Sequence, residues 1–372
     1  MRASPQGSGF TCRSRRSLSL LVAGALGSAL LPDPGAAQGM PPSLAQFLQR
    51  KISLTEAEID AAAGGKPVVK VLEPADRRML TGFGIVRIEV PRSFYVSLVT
   101  DFPPSLRDST VLRLGAFSNP ASVADLAGFT LSRGDVQELS QCHPGSCKLK
   151  LPASAMADLR GVIDTASPAA DSVATAYFRK GVVDYVTAYR LRGNVALVVY
   201  DDRQSPTAAA LVLDSLLAGS PEIFQYAPGL ERYLENYPHD RPPGVEEALF
   251  WAQDDLPGLR PTFVVSHRVV YTSPDLPGTT LIASKQLYAE HYLDGALGLT
   301  ALVDEQDKQP PAQPGLYLVY LRQLHFDNLP SGGVVNLRHK VIGKLRERTA
   351  ESLRQAKQRC ERAYAARPAS AP

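Results

Sequence analysis

Thr262-Phe-Val-Val-Ser-His-Arg-Val-Val-Tyr-Thr272 and Leu316-Tyr-Leu-Val-Tyr-Leu-Arg-Gln-Leu-His-Phe326 decide the fold. Both are short, rich in β-branched and aromatic residues, and bounded by turn-forming residues, the signature of strands. Between them, Thr279–Leu293 and Ala296–Val303 flank Asp294-Gly295, a strong short-range hairpin signal. Pro274-Asp-Leu-Pro-Gly278 and the polar loop Asp304–Pro314 supply the other turns, and Ala248–Gln253 adds a strand ahead of the run. Residues 262–326 are therefore predicted to form one antiparallel meander. After Pro330-Ser-Gly-Gly333 a helix runs to about Ala366. It carries Val334, Leu337, Val341, Leu345, Leu353, Ala356, Cys360 and Tyr364 within half its circumference. Such a stripe must be buried, and the sheet just before it is the nearest apolar surface. The expected fold class is α+β: an antiparallel meander with a long C-terminal helix packed across it, plus a largely helical insertion.

Upstream, Pro41–Gly65 reads as helical, with Ser53-Leu-Thr-Glu56 as a capping box and Gly64-Gly65 as its stop. Strands are expected at Pro67–Leu72 and Phe83–Val90, then a helix from Pro91 to about Asp101. Residues 103–245 read as a mostly helical insertion, with strands at Val111–Phe117, Cys147–Leu151 and Asn194–Tyr200. Its clearest helix, Ala170–Leu191, has Phe178, Val182, Val186 and Tyr189 at helical spacing. Prolines break Ser205–Glu247 into short helices. The organisation read from this is a signal segment (1–37), an N-terminal helical segment (38–79), an α+β domain (80–366) and a tail (367–372).

Residues 1–37 have the form of a secretory signal. Arg13-Ser-Arg15-Arg16 precedes the apolar run Leu18–Leu31, and Gly35-Ala36-Ala37 offers a cleavage site before Gln38. The run is shorter than a membrane span needs. Export to the periplasm or the extracellular space is expected, with no transmembrane helix after cleavage. The formal net charge is +3, and Arg2, Arg13, Arg15 and Arg16 against Asp33 supply all of it. The remainder is neutral overall, which excludes generic nucleic-acid binding. In an oxidising compartment Cys142-His-Pro-Gly-Ser-Cys147 reads as a small disulfide loop, and Cys360 as a buried hydrophobe.

Phe83-Gly-Ile-Val-Arg-Ile-Glu-Val-Pro-Arg-Ser-Phe-Tyr-Val-Ser-Leu-Val-Thr-Asp101 resembles the opening strand and helix of START or polyketide-cyclase-like (helix-grip) domains. The ending, meander then long helix, is similar to theirs. The resemblance implies an antiparallel sheet around the C-terminal helix and an apolar ligand held between them. That superfamily has no fixed catalytic motif, so no functional residue carries over.

Motifs of chemistry are few. HExxH, GxSxG and the P-loop are absent, and Gly82-Phe-Gly84 lacks the third glycine of a dinucleotide fingerprint. No cofactor motif and no metal-ligand set is read. The carboxylate pairs Asp201-Asp202, Glu246-Glu247 and Asp254-Asp255 read as solvated, and the basic C-terminal helix as an outer face or a contact with anionic head groups. One constellation stands out. Alternation places His267 on the apolar face of its strand, and Lys285 and His291 on the apolar face of the next. Polar groups there need partners, and a ligand head group is one kind. The leading expectation is an exported, non-enzymatic protein that binds a hydrophobic small molecule or lipid between sheet and C-terminal helix, with His267, Lys285 and His291 as the ligand-binding residues. The alternatives are a hydrolase-like enzyme using His267 and His291 as acid–base groups, and a structural or interaction protein of the cell envelope.

Overall fold

In the computed structural model, residues 39–101, 111–254, 260–306, 314–329 and 337–367 are described. Residues 1–38, 102–110, 255–259, 307–313, 330–336 and 368–372 lie outside them, and with them the expected signal segment, most of the polar stretch 304–314 and the expected turn at 330–333. In chain order the elements are α1 (Pro42–Arg50), α2 (Glu56–Ala63), β1 (Val68–Leu72), β2 (Met79–Ile88), α3 (Arg92–Asp101) and β3 (Val111–Ala116). Then come α4 (Arg133–Leu139), α5 (Ala153–Val162), α6 (Ala170–Arg192), β4 (Val199–Tyr200) and β5 (Thr207–Ala208). They are followed by α7 (Ala209–Ala218), α8 (Pro221–Phe224) and α9 (Pro228–Asn236). The last third holds β6 (Val245–Asp254), β7 (Thr262–Thr272), β8 (Thr279–Ala289), β9 (Leu293–Asp304), β10 (Leu316–Phe326) and α10 (Leu337–Ala365).

Eight strands form one antiparallel sheet in the order β1-β2-β10-β9-β8-β7-β6-β3. The meander and the long helix across the sheet are as expected. Both faces of the sheet are buried, so alternation along β7 separates two apolar faces rather than an inside from an outside. One face carries Phe83, Val319, Leu299, Ala283 and Val269; α1 and α2 cover its β2–β10 end, and the helical segment α4–α9 covers the rest. The other carries Val86, Leu318, Leu302, Ile282 and Val270 and lies under α3 and α10.

Glycine positions α10. Gly82 and Gly84 point toward it from β2, where a Cβ at Gly84 would stand 2.5 Å from Leu353 Cδ1. Helix and strand are therefore in direct contact along β2, and the Gly-Phe-Gly run serves packing. Leu345 and Leu353 of α10 stand against β2 at these two positions.

Several local readings shift. The β8–β9 turn lies at Glu290–Tyr292, with Tyr292 at φ 63°, and not at Asp294-Gly295, because Asp294 is inside β9 with its carboxylate bound to Lys150. A bulge in β8 opposite Val265 and Ser266 reverses the alternation. Tyr288 therefore joins the face under α4–α9, while Ala289 and Leu293 join the α10 side. The capping box is Thr55 with Glu58, two residues beyond the expected one. Cys147–Leu151 is irregular: the Cys147 and Lys150 amides bond the Asp202 and Glu290 carbonyls across the molecule. Asn194–Tyr200 is a 3-10 turn ending in β4. Cys142 and Cys147 form the expected disulfide and Cys360 is a buried free thiol. Among the described residues no helix is long and apolar enough to cross a membrane.

Candidate functional site

His267 and Lys285 are cross-strand partners on β7 and β8, and both are buried. Their side chains share a face with Leu249 and Leu297, which is the face under α6 and α9. The expectation that α10 faces them across a cavity is thereby corrected, since α10 lies on the opposite side of the sheet. Protein groups answer them instead. His267 Nε2 lies 3.1 Å from Glu247 Oε2, and its Nδ1 2.9 Å from the Tyr189 hydroxyl. A carboxylate only accepts, so Nε2 carries the proton and Nδ1 accepts from Tyr189. Burial, opposed by the Glu247 hydrogen bond, pushes His267 down to about 4. Lys285 Nζ donates to Asn194 Oδ1 at 2.7 Å and to the Leu234 carbonyl at 3.3 Å. It also lies 5.1 and 5.4 Å from the Tyr189 and Tyr237 ring centroids. Burial brings it down to about 7.

His291 belongs to a different cluster, at the β8–β9 turn. Its Nδ1–H donates to the Lys148 carbonyl at 3.1 Å, and its Nε2 lies 3.4 Å from Asp135 Oδ1. Burial works against its charge, but Asp135, Glu290 and the Lys148 carbonyl outweigh it and hold His291 above its ordinary value. Burial raises the neighbouring Glu290 to about 7. Ligand atoms of Asp135, Glu290 and His291 lie within 4.8 Å of one another, so these residues could hold a metal ion. The three residues singled out from sequence are thus split, two in a closed network and one beside a cleft.

That cleft, of 1310 Å³, lies between the disulfide loop, the 202–208 segment, α7 and the ends of β8 and β10. Arg78, Lys148, Arg203 and Arg260 line it, and so do Asp76, Glu138, Asp202 and Asp327. Cations and carboxylates are paired: Arg203 with Asp327 at 2.9 Å, Lys148 and Arg260 with Glu138 at 2.9 and 2.8 Å, Arg78 with Asp76 at 3.6 Å. Behind them lies a buried charged cluster. Lys150 Nζ sits 2.7 Å from Asp294 Oδ1, and Asp294 Oδ2 lies 3.2 Å from Nδ1 of His325, which lines the cleft.

Sequence reading missed this group for identifiable reasons. Lys150 falls in an expected strand and Asp294 in an expected turn. His325 is a polar residue in the apolar run of β10, the criterion that singled out His267, and the same test finds it. Compared with known proteins, the sequence matches no family model and no curated protein, so the functional reading rests on the chemistry of the cleft itself.

Proposed function

We propose that the protein is an exported binding protein whose ligand seats in this cleft. The ligand is a small polar molecule that carries both charges, as a short peptide does. One observation carries the reading: the lining is charged, yet nearly every cation already faces a carboxylate. An apolar ligand would desolvate those charges without replacing their partners. A zwitterionic ligand can exchange into the pairs, its carboxylate taking the guanidinium and its ammonium the released acid. Export is supported by the signal-like residues 1–37 and agrees with the Cys142–Cys147 disulfide.

Native mass spectrometry of protein purified from its own periplasm or medium tests this, followed by calorimetry with a mixture of tripeptides. A co-purifying or titrating zwitterion is expected, with affinity falling roughly tenfold in Arg203→Gln, a loss of one charge-assisted pair. A co-purifying lipid, or binding untouched by Arg203→Gln, overturns the proposal.

A second reading is favoured by the Asp294–His325 pair. His325 lines the cleft with a carboxylate near each ring nitrogen, Asp294 Oδ2 3.2 Å from Nδ1 as an ion-pair contact without a hydrogen bond and Asp76 Oδ2 3.6 Å from Nε2, and a cleft histidine is a common general acid–base group. Hydrolysis of the bound molecule, abolished in His325→Gln while binding persists, would make the protein a hydrolase.

A further inference from the structure

We infer that Asp135, Glu290 and His291 form a binding site for one first-row divalent cation, with zinc the best match, whatever the cleft binds. The three residues are 5%, 2% and 2% exposed, and their ligand atoms converge within 4.8 Å. Two of those atoms, Glu290 Oε1 and His291 Nε2, are buried without a hydrogen-bond partner. Orphaned buried polar atoms are uncommon in a folded protein, and two converging on a third ligand need a common partner. The 3.4 Å approach of His291 Nε2 to Asp135 Oδ1 is a charge contact without hydrogen-bond geometry, and nothing bonds Glu290 Oε1.

The rest of each side chain is already held as a metal ligand would be. His291 donates Nδ1–H to the Lys148 carbonyl, so Nε2 is the nitrogen that faces the cluster and ligates once an ion displaces its proton. Asp135 receives the Ser132 hydroxyl on Oδ2 at 2.5 Å, leaving Oδ1 toward the cluster. Glu290 receives the Phe263 amide on Oε2 at 3.3 Å, leaving Oε1. Each ligand thus has its non-ligating atom engaged and its ligating atom turned inward.

Distance agrees with donor chemistry. A tetrahedral ion with bonds of about 2.1 Å sets its ligands about 3.4 Å apart. His291 Nε2 and Asp135 Oδ1 are 3.4 Å apart. One nitrogen and two carboxylate oxygens suit zinc and leave a fourth position open. Two carboxylates also balance the charge of a divalent ion. His291 lines the cleft, so the site is reached from there.

Arg260 is the competitor. Its Nη1 lies 3.2 Å from Asp135 Oδ1, the same oxygen, and its side chain is 45% exposed and also reaches Glu138. It neutralises the cluster when no ion is bound and has room to withdraw when one is. Its removal therefore separates the two readings of the cluster. In a purely structural ion-pair network, Arg260→Gln only weakens the fold. In a metal site it also raises affinity for the ion.

The experiment is calorimetric titration of zinc into untagged, oxidised, full-length mature protein stripped with a chelator, with thermal unfolding read in parallel. One zinc per chain is expected, with a rise in the unfolding temperature. Glu290→Gln and His291→Gln should each weaken zinc roughly 100-fold, Arg260→Gln should tighten it several-fold, and His143→Gln, on the exposed disulfide loop, should leave it unchanged. Circular dichroism confirms folding of each variant, and Glu290→Gln, being isosteric, decides if His291→Gln fails to fold. No saturable binding in the parent protein overturns the inference. Binding that Glu290→Gln leaves intact, or that His143→Gln removes, overturns it equally.

Discussion

Lys285 is enclosed by carbonyl oxygen, amide oxygen and two tyrosine rings, and no carboxylate reaches its ammonium within hydrogen-bonding distance. Burial therefore dominates and lowers it to about 7, against about 10.4 in an unfolded chain. Between these values the unfolded chain still holds a proton that the folded one has released. Stability must then rise with pH, by at most about 1.4 kcal/mol per unit. Of the groups facing it, His267 and Glu247 have finished titrating below this window, and burial holds Tyr189 and Tyr237 above theirs. Urea unfolding from pH 7 to 9.5 should show the rise in the parent protein and its loss in Lys285→Met. A parallel rise in both would place the proton elsewhere. At this scale the sequence was half legible. A lysine and a histidine in phase with apolar neighbours announce buried polar groups, whereas Tyr189, Asn194 and Glu247, which satisfy them, come from segments 20 to 91 residues away.

Among the elements, α10 owes its seat to two glycines with unequal demands. A Cβ at Gly84 would meet Leu353 Cδ1 at 2.5 Å and Thr349 Cγ2 at 3.1 Å, whereas one at Gly82 meets Leu345 at an ordinary 3.4 Å. Gly84→Ala should cost about 1–3 kcal/mol through overpacking. Gly82→Ala should be neutral within about 1 kcal/mol, since the added methyl makes an ordinary contact and a flexible glycine is lost from a strand. Combined with Leu353→Ala, Gly84→Ala should cost less than the two separately, because the cavity accepts the methyl. Urea midpoints decide, and strict additivity would mean that the helix moves off the strand instead. The disulfide loop makes a separate claim: denatured, unreduced protein lacking residues 1–37, and with them Cys12, should show one reactive thiol, Cys360. Reduction should cost about 2 kcal/mol, the small value a six-residue loop allows. These elements were legible because period-two runs bounded by Pro and Gly leave strands little alternative. Their faces were less so. One inserted residue in β8 exchanges inside for outside, and no composition signal marks it. Asp294-Gly295 has turn chemistry, but the buried Lys150 holds that aspartate within a strand.

For the whole molecule, the decisive joint is the one between the helical segment and the sheet, and at the cleft that joint is ionic. Lys150 is 1% exposed, and three parts of the chain meet at it. Its amide donates to the Glu290 carbonyl, its ammonium lies 2.7 Å from Asp294 on β9 and 3.6 Å from Asp202, and it stands over the Tyr200 ring at 4.3 Å. Removing one member of such a pair leaves an uncompensated buried charge, which typically costs about 3–5 kcal/mol. Lys150→Met should therefore destabilise the protein by that order, with Asp294 abandoned beside His325. Replacing both partners is different, because two apolar side chains of similar volume need no counter-charge. Lys150→Met with Asp294→Leu should recover most of the loss, leaving Asp202 as the residual cost. Chemical denaturation of the three variants measures the coupling directly. A double variant no more stable than Lys150→Met alone would show that Asp202, rather than Asp294, is the partner on which the joint depends. The cleft above them would then be organised from the 202–208 segment instead of from the sheet.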